Sequence, residues 1–422
     1  MQQKFTVAII GVGSRGGNAY GKIINLHKDK FEIVALCDIK QERLDIFGEQ
    51  FGVKEENRFL DEKVFFEKKR ADLLLIATLD ADHVRQCLIA FELGYDVLCE
   101  KPITDKREEC EQLLAAQKKY GTKVLVCHVL RYAPAFLKVA ELLEQNTIGR
   151  LVLIEALERV EYWHQAHSYV RGNWRKSEET TPMLLAKCCH DLDLIQYYAN
   201  SKCACISSIG ELTYFKKGNQ PEGAAERCSD CKYIDSCPYS AKRIYIDMWK
   251  MRDYGDDIWP QNVAVCKPIT EEKLQKAIQE GPYGRCVFHC DNDVVDHQIT
   301  QMTFKNGVKA TLTMTAFTAR CGRRMSFYGT NGELVLDEAD HTIRVQQFGE
   351  KPYTISLADL TEDGFGHGGG DSRLIENLYT VLCGVEESRT SLEASIESHL
   401  MGICAEESRL HGGTCISVHD DL

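Results

Sequence analysis

The chain has no apolar run approaching a membrane span, no long basic tract, no internal repeat and no low-complexity segment. Each absence removes a class of function. Without about 18 consecutive apolar residues there is no candidate transmembrane helix. A formal net charge of −12, with no lysine- or arginine-rich run, argues against nucleic acid and anionic membranes as partners. Phe5 already opens an apolar run that reads as the first strand, so no signal peptide is expected. The cytoplasm is therefore the expected compartment. What remains is a 422-residue chain, too long for one compact core, so two domains are expected. Cysteine, by contrast, is abundant. Nineteen are present, and without an export signal they read as free thiols or metal ligands rather than a disulfide framework.

The most telling segment begins with Phe5-Thr6-Val7-Ala8-Ile9-Ile10, which reads as a buried strand. It feeds straight into Gly11-Val12-Gly13-Ser14-Arg15-Gly16, and a helical pattern follows from Asn18 to Leu26. A second strand, Phe31 to Cys37, ends on Asp38. This strand–turn–helix–strand order is the context a dinucleotide-binding fingerprint requires. Gly11 permits the tight turn, Gly13 lets the backbone approach a pyrophosphate, and Gly16 lets the helix lie close to the strand. Ser14 and Arg15 stand at the helix N-terminus, where unpaired N–H groups and the positive dipole end attract phosphate. The Asp38 carboxylate can accept hydrogen bonds from both ribose hydroxyls and would repel a 2′-phosphate. The expected cofactor is NAD.

Strand and helix patterns keep alternating through the first third of the chain. Leu73-Leu74-Leu75-Ile76, inside a predicted strand from Ala71 to Thr78, is apolar on both faces, as a central parallel strand should be. Helices are predicted from Asp82 to Leu93 and from Arg107 to Tyr120, each stopped by glycine. Tyr95 to Cys99 and Thr122 to Cys127 read as further strands. Residues 1–127 therefore read as an α/β Rossmann domain, a doubly wound parallel sheet. Residues 128–422 read as an α+β domain for substrate and oligomerisation. Its predicted strands are Leu151 to Val160, Val295 to Phe304, Val308 to Phe317, Arg324 to Tyr328 and Glu333 to Leu336. Turns at Lys305-Asn306-Gly307 and Thr330-Asn331-Gly332 make the sheet open and largely antiparallel. Helices are expected over Pro182 to Asn200, Ser372 to Leu382 and Leu392 to Leu410, with residues 215–284 as a cysteine-containing insertion.

Glu100-Lys101-Pro102 follows the strand ending at Cys99, on the edge where such sheets bind ligands. With the glycine turn and the later Cys189-His190-Asp191-Leu192-Asp193, in that order and spacing, it resembles the Gfo/Idh/MocA oxidoreductases over essentially the whole chain. The resemblance implies a Rossmann domain followed by an α/β domain whose open sheet builds homodimers or homotetramers. It implies that Lys101 lies beside the nicotinamide and the reacting hydroxyl, after a peptide bond to Pro102 that is often cis. A lysine held beside a cationic ring exchanges a proton more readily, and Glu100 is placed to orient it. The resemblance further implies that His190 faces the substrate and shares proton transfer with Lys101. Relatives commonly carry an aspartate four residues earlier. Here Ala186 takes that place with Lys187 beside it, which makes Lys187 a substrate-binding candidate. Arg131 and Tyr132 stand where the family often places substrate contacts.

Other candidates come from composition. In Arg171-Gly172-Asn173-Trp174-Arg175, with Tyr162 and His164 before it, Trp174 suits the C–H face of a sugar and guanidinium groups suit its hydroxyls. His367, in Gly366-His367-Gly368-Gly369-Gly370-Asp371, can reach a substrate, while Asp371 reads as a helix N-cap. Cys228, Cys231 and Cys237 bring three thiols together, and two residues between thiolates let both face one ion. Cys290 is a candidate fourth ligand, with Cys286, Cys266 and His289 as alternatives; structural zinc and free thiols both remain open. Cys37, Cys99 and Cys127 lie in apolar strands and read as core residues.

Three functions fit these residues. The first is an NAD-dependent oxidoreductase acting on a secondary alcohol of a small sugar, cyclitol or glycoside, with Lys101 and His190 handling the proton. The second is a glycoside hydrolase or lyase that holds NAD tightly through oxidation, elimination and reduction. The third is a non-catalytic, NAD-bound sensor or assembly subunit, which the presence of both Lys101 and His190 disfavours.

Overall fold

Six strands build the first sheet: β1 (Phe5–Ile10), β2 (Phe31–Cys37), β3 (Arg58–Phe59), β4 (Leu73–Ile76), β5 (Asp96–Cys99) and β6 (Val124–Val126). The structure is a computed structural model that describes residues 3–256, 258–360 and 366–419. All pairings in this sheet are parallel, in the order β3-β2-β1-β4-β5-β6. The order reverses between β1 and β4, so the carboxyl ends of these two strands open a crevice. Alternate side chains explain why both faces had to be apolar. Val7, Ile9, Leu73 and Leu75 enter one core cluster, whereas Ala8, Ile10, Leu74 and Ile76 enter the other.

Helices from both ends of the chain cover this sheet. His83–Glu92 and Arg107–Tyr120 lie between its strands in sequence, while Gly370–Leu382 and Leu392–Leu410 return from the far end. Leu374, Ile375 and Leu378 join the cluster of Val7 and Ile9, and Leu392 and Ile396 join the opposite one. The helix after the glycine turn starts earlier than its apolar pattern suggests. It is wound wide from Ser14–Gly21 and becomes an ordinary α-helix over Lys22–Leu26.

The second sheet has nine strands: β7 (Leu151–Arg159), β8 (Cys203–Glu211), β9 (His297–Phe304), β10 (Lys309–Thr315), β11 (Gly322–Gly329), β12 (Gly332–Asp337), β13 (Thr342–Gln347), β14 (Tyr353–Ser356) and β15 (Ile416–Ser417). Their order is β14-β13-β12-β11-β7-β10-β9-β8-β15, and only the β7–β10 pairing is parallel. One face carries Ile154, Ala156, Leu312, Met314 and Phe327, which share a core with Leu184, Leu192 and Ile195 of the helix Met183–Ala199. That helix is the bridge between the second sheet and the crevice of the first. Phe215, Ile244, Tyr245, Trp249 and Leu274, from the stretch between β8 and β9, form a further cluster with Trp163 and Val170. Among the described residues no helix is long and apolar enough to cross a membrane.

Candidate functional site

The glycine turn lies flush against the first sheet. Gly11 has φ +85°, and a Cβ there would sit 2.4 Å from the Ala77 carbonyl oxygen. A Cβ on Gly16 would sit 2.0 Å from the Gly11 oxygen, so no larger residue fits either place. The amides of Gly17 and Asn18 both donate to the Gly13 carbonyl, at 2.9 and 3.2 Å. Those from Ser14 to Gly16, at the start of the helix, have no intrahelical acceptor. Asp38 is buried at the end of β2, where Oδ2 accepts from the Val12 N–H and Oδ1 from the Lys40 N–H, both at 2.9 Å. The Arg43 guanidinium lies 3.4 Å from the same carboxylate. Bare glycine backbone, a helix N-terminus and a fixed carboxylate in this order fit a dinucleotide.

Arg15 takes a different place from the phosphate-facing one its position suggests. Its Nε donates to Glu100 Oε1 at 2.8 Å, and Nη2 and Nη1 reach the two Asp371 oxygens at 2.8 and 3.2 Å. Glu100 also accepts from the Tyr20 hydroxyl and from the Lys101 N–H, each at 2.9 Å. His367 Nδ1 closes the chain, 3.3 Å from Asp371. Charge-assisted bonds thus run from His367 through Asp371, Arg15 and Glu100 to the Lys101 backbone. Burial opposes ionisation of both acids, yet Arg15 outweighs it and holds both carboxyls below their usual range. Asp371 is not the N-cap. The helix Gly370–Leu382 is capped by Gly369, and Asp371 sits inside its first turn.

Lys101 crosses to the second lobe. Its Nζ donates to the Ala186 carbonyl at 3.3 Å, and the Lys101–Pro102 bond is cis. Ala186 and His190 lie one turn apart on the buried helix Met183–Ala199. His190 is 7% exposed and its Nδ1 has no hydrogen-bond partner. Its ring lies 5.8 Å from that of His128 and 6.2 Å from that of His367. Burial, followed by the nearby charge of Lys101, pushes the His190 pKa well below its usual value. The imidazole is neutral at pH 7.

A buried carboxylate does stand near Lys101, though not on that helix. Asp80, just past β4, accepts from Trp174 Nε1 and from the Thr181 hydroxyl, both at 3.0 Å. Burial raises its carboxyl pKa, against the pull of His83 and Lys101. Sequence reasoning passed over Asp80, although an acid just beyond the carboxyl end of a central strand was the available signal. Trp174 therefore joins the two lobes. Lys187 ends in a buried ionic network: its Nζ is 2.9 Å from Glu158, which also lies 3.2 Å from Arg323. Arg323 bonds Asp191 at 3.0 and 3.2 Å. Burial pushes the Asp191 carboxyl up to about 7, with Arg323 opposing.

Arg131 and Tyr132 are not brought to this cleft. Arg131 Nε and Nη2 each bond Asp193 at 2.7 Å, and Nη1 donates to the Arg389 carbonyl at 3.1 Å. The Tyr132 hydroxyl donates to Asn377 at 2.9 Å. Both side chains are buried and brace the helices around them. Arg131→Ala leaves Asp193 buried without its cation, so it should lower unfolding free energy by about 3–5 kcal/mol in a urea titration. A loss within the range of an exposed ion pair, about 1 kcal/mol or less, would contradict that role.

The cysteine cluster does not hold up as a zinc site. Among the described residues no three His, Cys, Asp or Glu side chains are placed to share a metal ion. Arg171, an added cation, donates to Cys228 Sγ at 3.5 Å, while the Cys290 thiol donates to the Cys286 carbonyl at 3.3 Å. Burial raises the thiol pKa of Cys237 and Cys290, which keeps both protonated. Cys228, Cys231, Cys237 and Cys290 are free thiols.

Buried histidines set an acid limit on the fold. Burial depresses the pKa of His128, His164, His167, His190 and His399, to about 3 for His167 and His399. The unfolded chain takes up these protons near pH 6.5, whereas the folded chain does so only at much lower pH. Their contribution is therefore fully present above about pH 6.5 and is lost as pH falls, by up to about 1.4 kcal/mol per pH unit for each group. Thermal melts between about pH 7 and 5 should show Tm dropping steeply; a flat Tm would contradict this assignment.

Comparison with known proteins agrees with this geometry. Two family models match: the oxidoreductase-family NAD-binding Rossmann fold over residues 5–128, and the oxidoreductase-family C-terminal alpha/beta domain over residues 140–414. YteT of Bacillus subtilis, named as an oxidoreductase, is 22% identical over 92% of this chain and 93% of its own. Levoglucosan dehydrogenase, solved with NADH and levoglucosan, superposes with a TM-score of 0.72 at 16% identity, covering 99% of this chain and 100% of that one. The WlbA dehydrogenase of Bordetella pertussis, solved with NADH and UDP-GlcNAcA, gives 0.68 at 15% identity over 99% and 100% of the two chains. The solved structures speak to the fold, and the two family models span nearly the whole sequence. The chain belongs to the Gfo/Idh/MocA family of NAD-binding oxidoreductases.

Proposed function

We propose that the protein is an NAD-dependent oxidoreductase acting on a secondary alcohol of a sugar, cyclitol or glycoside. One observation carries this reading: Lys101 reaches from the first lobe to the helix turn of the second lobe that bears His190. An ammonium and a neutral imidazole thereby meet at the carboxyl edge of a parallel sheet. Gly11, Gly13, Ser14, Gly16 and Asp38 would hold the dinucleotide, and a bound nicotinamide supplies hydride acceptance and donation. His190, with Nδ1 unpartnered, takes the hydroxyl proton in the oxidising direction and returns it in the reducing one. Lys101 donates a charged hydrogen bond to the same oxygen and offsets the negative charge that develops there. Glu100 fixes the Lys101 backbone, and Arg15 and Asp371 fix Glu100. Two relatives solved with levoglucosan and with UDP-GlcNAcA favour a carbohydrate-like substrate.

Ile209 and Ile299, directly opposed on β8 and β9, are 58% and 43% exposed. This exposed apolar pair on the open face of the second sheet favours a homodimer or homotetramer. A second catalytic reading, transient oxidation of a glycoside with cleavage and no net redox change, uses the same residues. Trp174 and Thr181 closing on Asp80 favours it, because the lobes are clasped where a cofactor would leave. A panel of sugars, cyclitols and glycosides with NAD and NADP, followed by absorbance of the reduced cofactor, tests both. Reduced cofactor accumulating with a sugar or cyclitol supports the first reading. Glycoside consumed without such accumulation supports the second, and no turnover of any member contradicts both.

A further inference from the structure

A cavity of about 270 Å³ opens in the stretch between β8 and β9. It shares no residue with the cleft of Lys101 and His190, and its volume is close to the lower end of ligand pockets, about 300 Å³. Its walls are largely apolar. The Tyr214 ring centre lies 5.7 Å from that of Tyr239 and 5.4 Å from that of Phe288, and all three rings line the cavity. Ile234 and Pro238 add aliphatic surface. Walls of this kind take up another ring, stacked or edge-on.

One charged side chain, Arg171, lines this space. It closes the buried turn Gln165–Arg171 and is 1% exposed. Its Nε donates to the Arg285 carbonyl at 2.6 Å, and Nη2 donates to the Tyr239 carbonyl at 2.7 Å and to Cys228 Sγ at 3.5 Å. Nη1 is buried and has no hydrogen-bond partner. Among the described residues no carboxylate pairs with this guanidinium. A cation held out of water calls for a countercharge, and a lone buried donor calls for an acceptor. Two thiols of the same wall supply neither charge: burial raises Cys237, and raises Cys286 to about 11, so both stay protonated at neutral pH.

We propose that this cavity is a second ligand site, which binds a small aromatic carboxylate with its ring against Tyr214, Tyr239 and Phe288 and its oxygens on Arg171 Nη1. Both halves of the ligand are required. An inorganic anion answers the guanidinium but leaves the rings facing water. A neutral ring fills the walls but leaves the cation unpaired. A carboxylate accepts from Nη1 in a charge-assisted bond, and the ring it carries is desolvated at the same time.

Isothermal titration of the full chain with benzoate tests the site. Wild type should bind one benzoate per chain, and excess NAD should not displace it. Benzyl alcohol keeps the ring and lacks the charge, so it should bind at least about tenfold more weakly. Acetate keeps the charge and lacks the ring, and it should be weaker by at least about tenfold as well. These comparisons need no variant. Ala224→Trp, at a half-buried position of the lining, fills the cavity and leaves Arg171 and its carbonyl bonds in place. It should weaken benzoate binding at least about tenfold, with unchanged far-UV circular dichroism. Wild type that takes up no benzoate, or that binds benzyl alcohol or acetate as tightly, overturns the site. So does benzoate binding that survives Ala224→Trp, or that NAD displaces.

Discussion

Lys101→Met should lower turnover by about 10³–10⁴-fold while leaving the NAD dissociation constant within about threefold. Methionine keeps the length of the side chain and removes its charge. The loop itself should stand, because Glu100 binds the Lys101 backbone N–H rather than the side chain, at 2.9 Å. The side-chain bond lost is that to the Ala186 carbonyl, at 3.3 Å. Steady-state rates at saturating NAD, beside a fluorescence titration of NAD, separate chemistry from binding. A variant that keeps more than about a tenth of wild-type turnover would remove Lys101 from the reaction.

Asp38→Ser should move the coenzyme preference from NAD toward NADP by about 10²–10³-fold in the ratio of dissociation constants. The carboxylate that accepts ribose hydroxyls and repels a 2′-phosphate is removed, so affinity falls on one side and rises on the other. Arg43 makes the rise large. Its guanidinium, 3.4 Å from Asp38 in the wild type, is released to meet the phosphate. Titrating both coenzymes against both proteins checks this, and an unchanged ratio would remove Asp38 from the ribose site.

Much of the fold is legible in local residue pattern. β1 and β2 match their apolar runs, and Arg107–Tyr120 and Leu392–Leu410 match their helical periodicity, because each buries a regular face. β8 escaped for a physical reason. Ser208 faces inward, its hydroxyl 2.8 Å from that of Thr300 and 2.9 Å from Gln298 Nε2, so a polar core hides the alternation. β14 is a four-residue strand at the sheet edge with no buried residue, which leaves little contrast to read.

The site divides along similar lines. Gly11, Gly16, Glu100 and Lys101 announce themselves by neighbours in sequence, since a turn or a strand end is a local event. Asp80 could not be paired with Trp174, 94 residues away, or with Thr181, 101 away, until the lobes were brought together. Arg131 misled for the same reason: its partner Asp193 lies 62 positions on, and a buried ion pair leaves no local trace. The cysteine spacing suited a metal, while Arg171, remote from it in sequence, brings its own positive charge to the cluster.

The most direct test of the central claim is a crystal structure of the chain with NAD bound. The nicotinamide C4 is expected to face the cleft between Lys101 Nζ and the His190 ring, with the adenosine ribose on Asp38. A nicotinamide turned away from both side chains would contradict it.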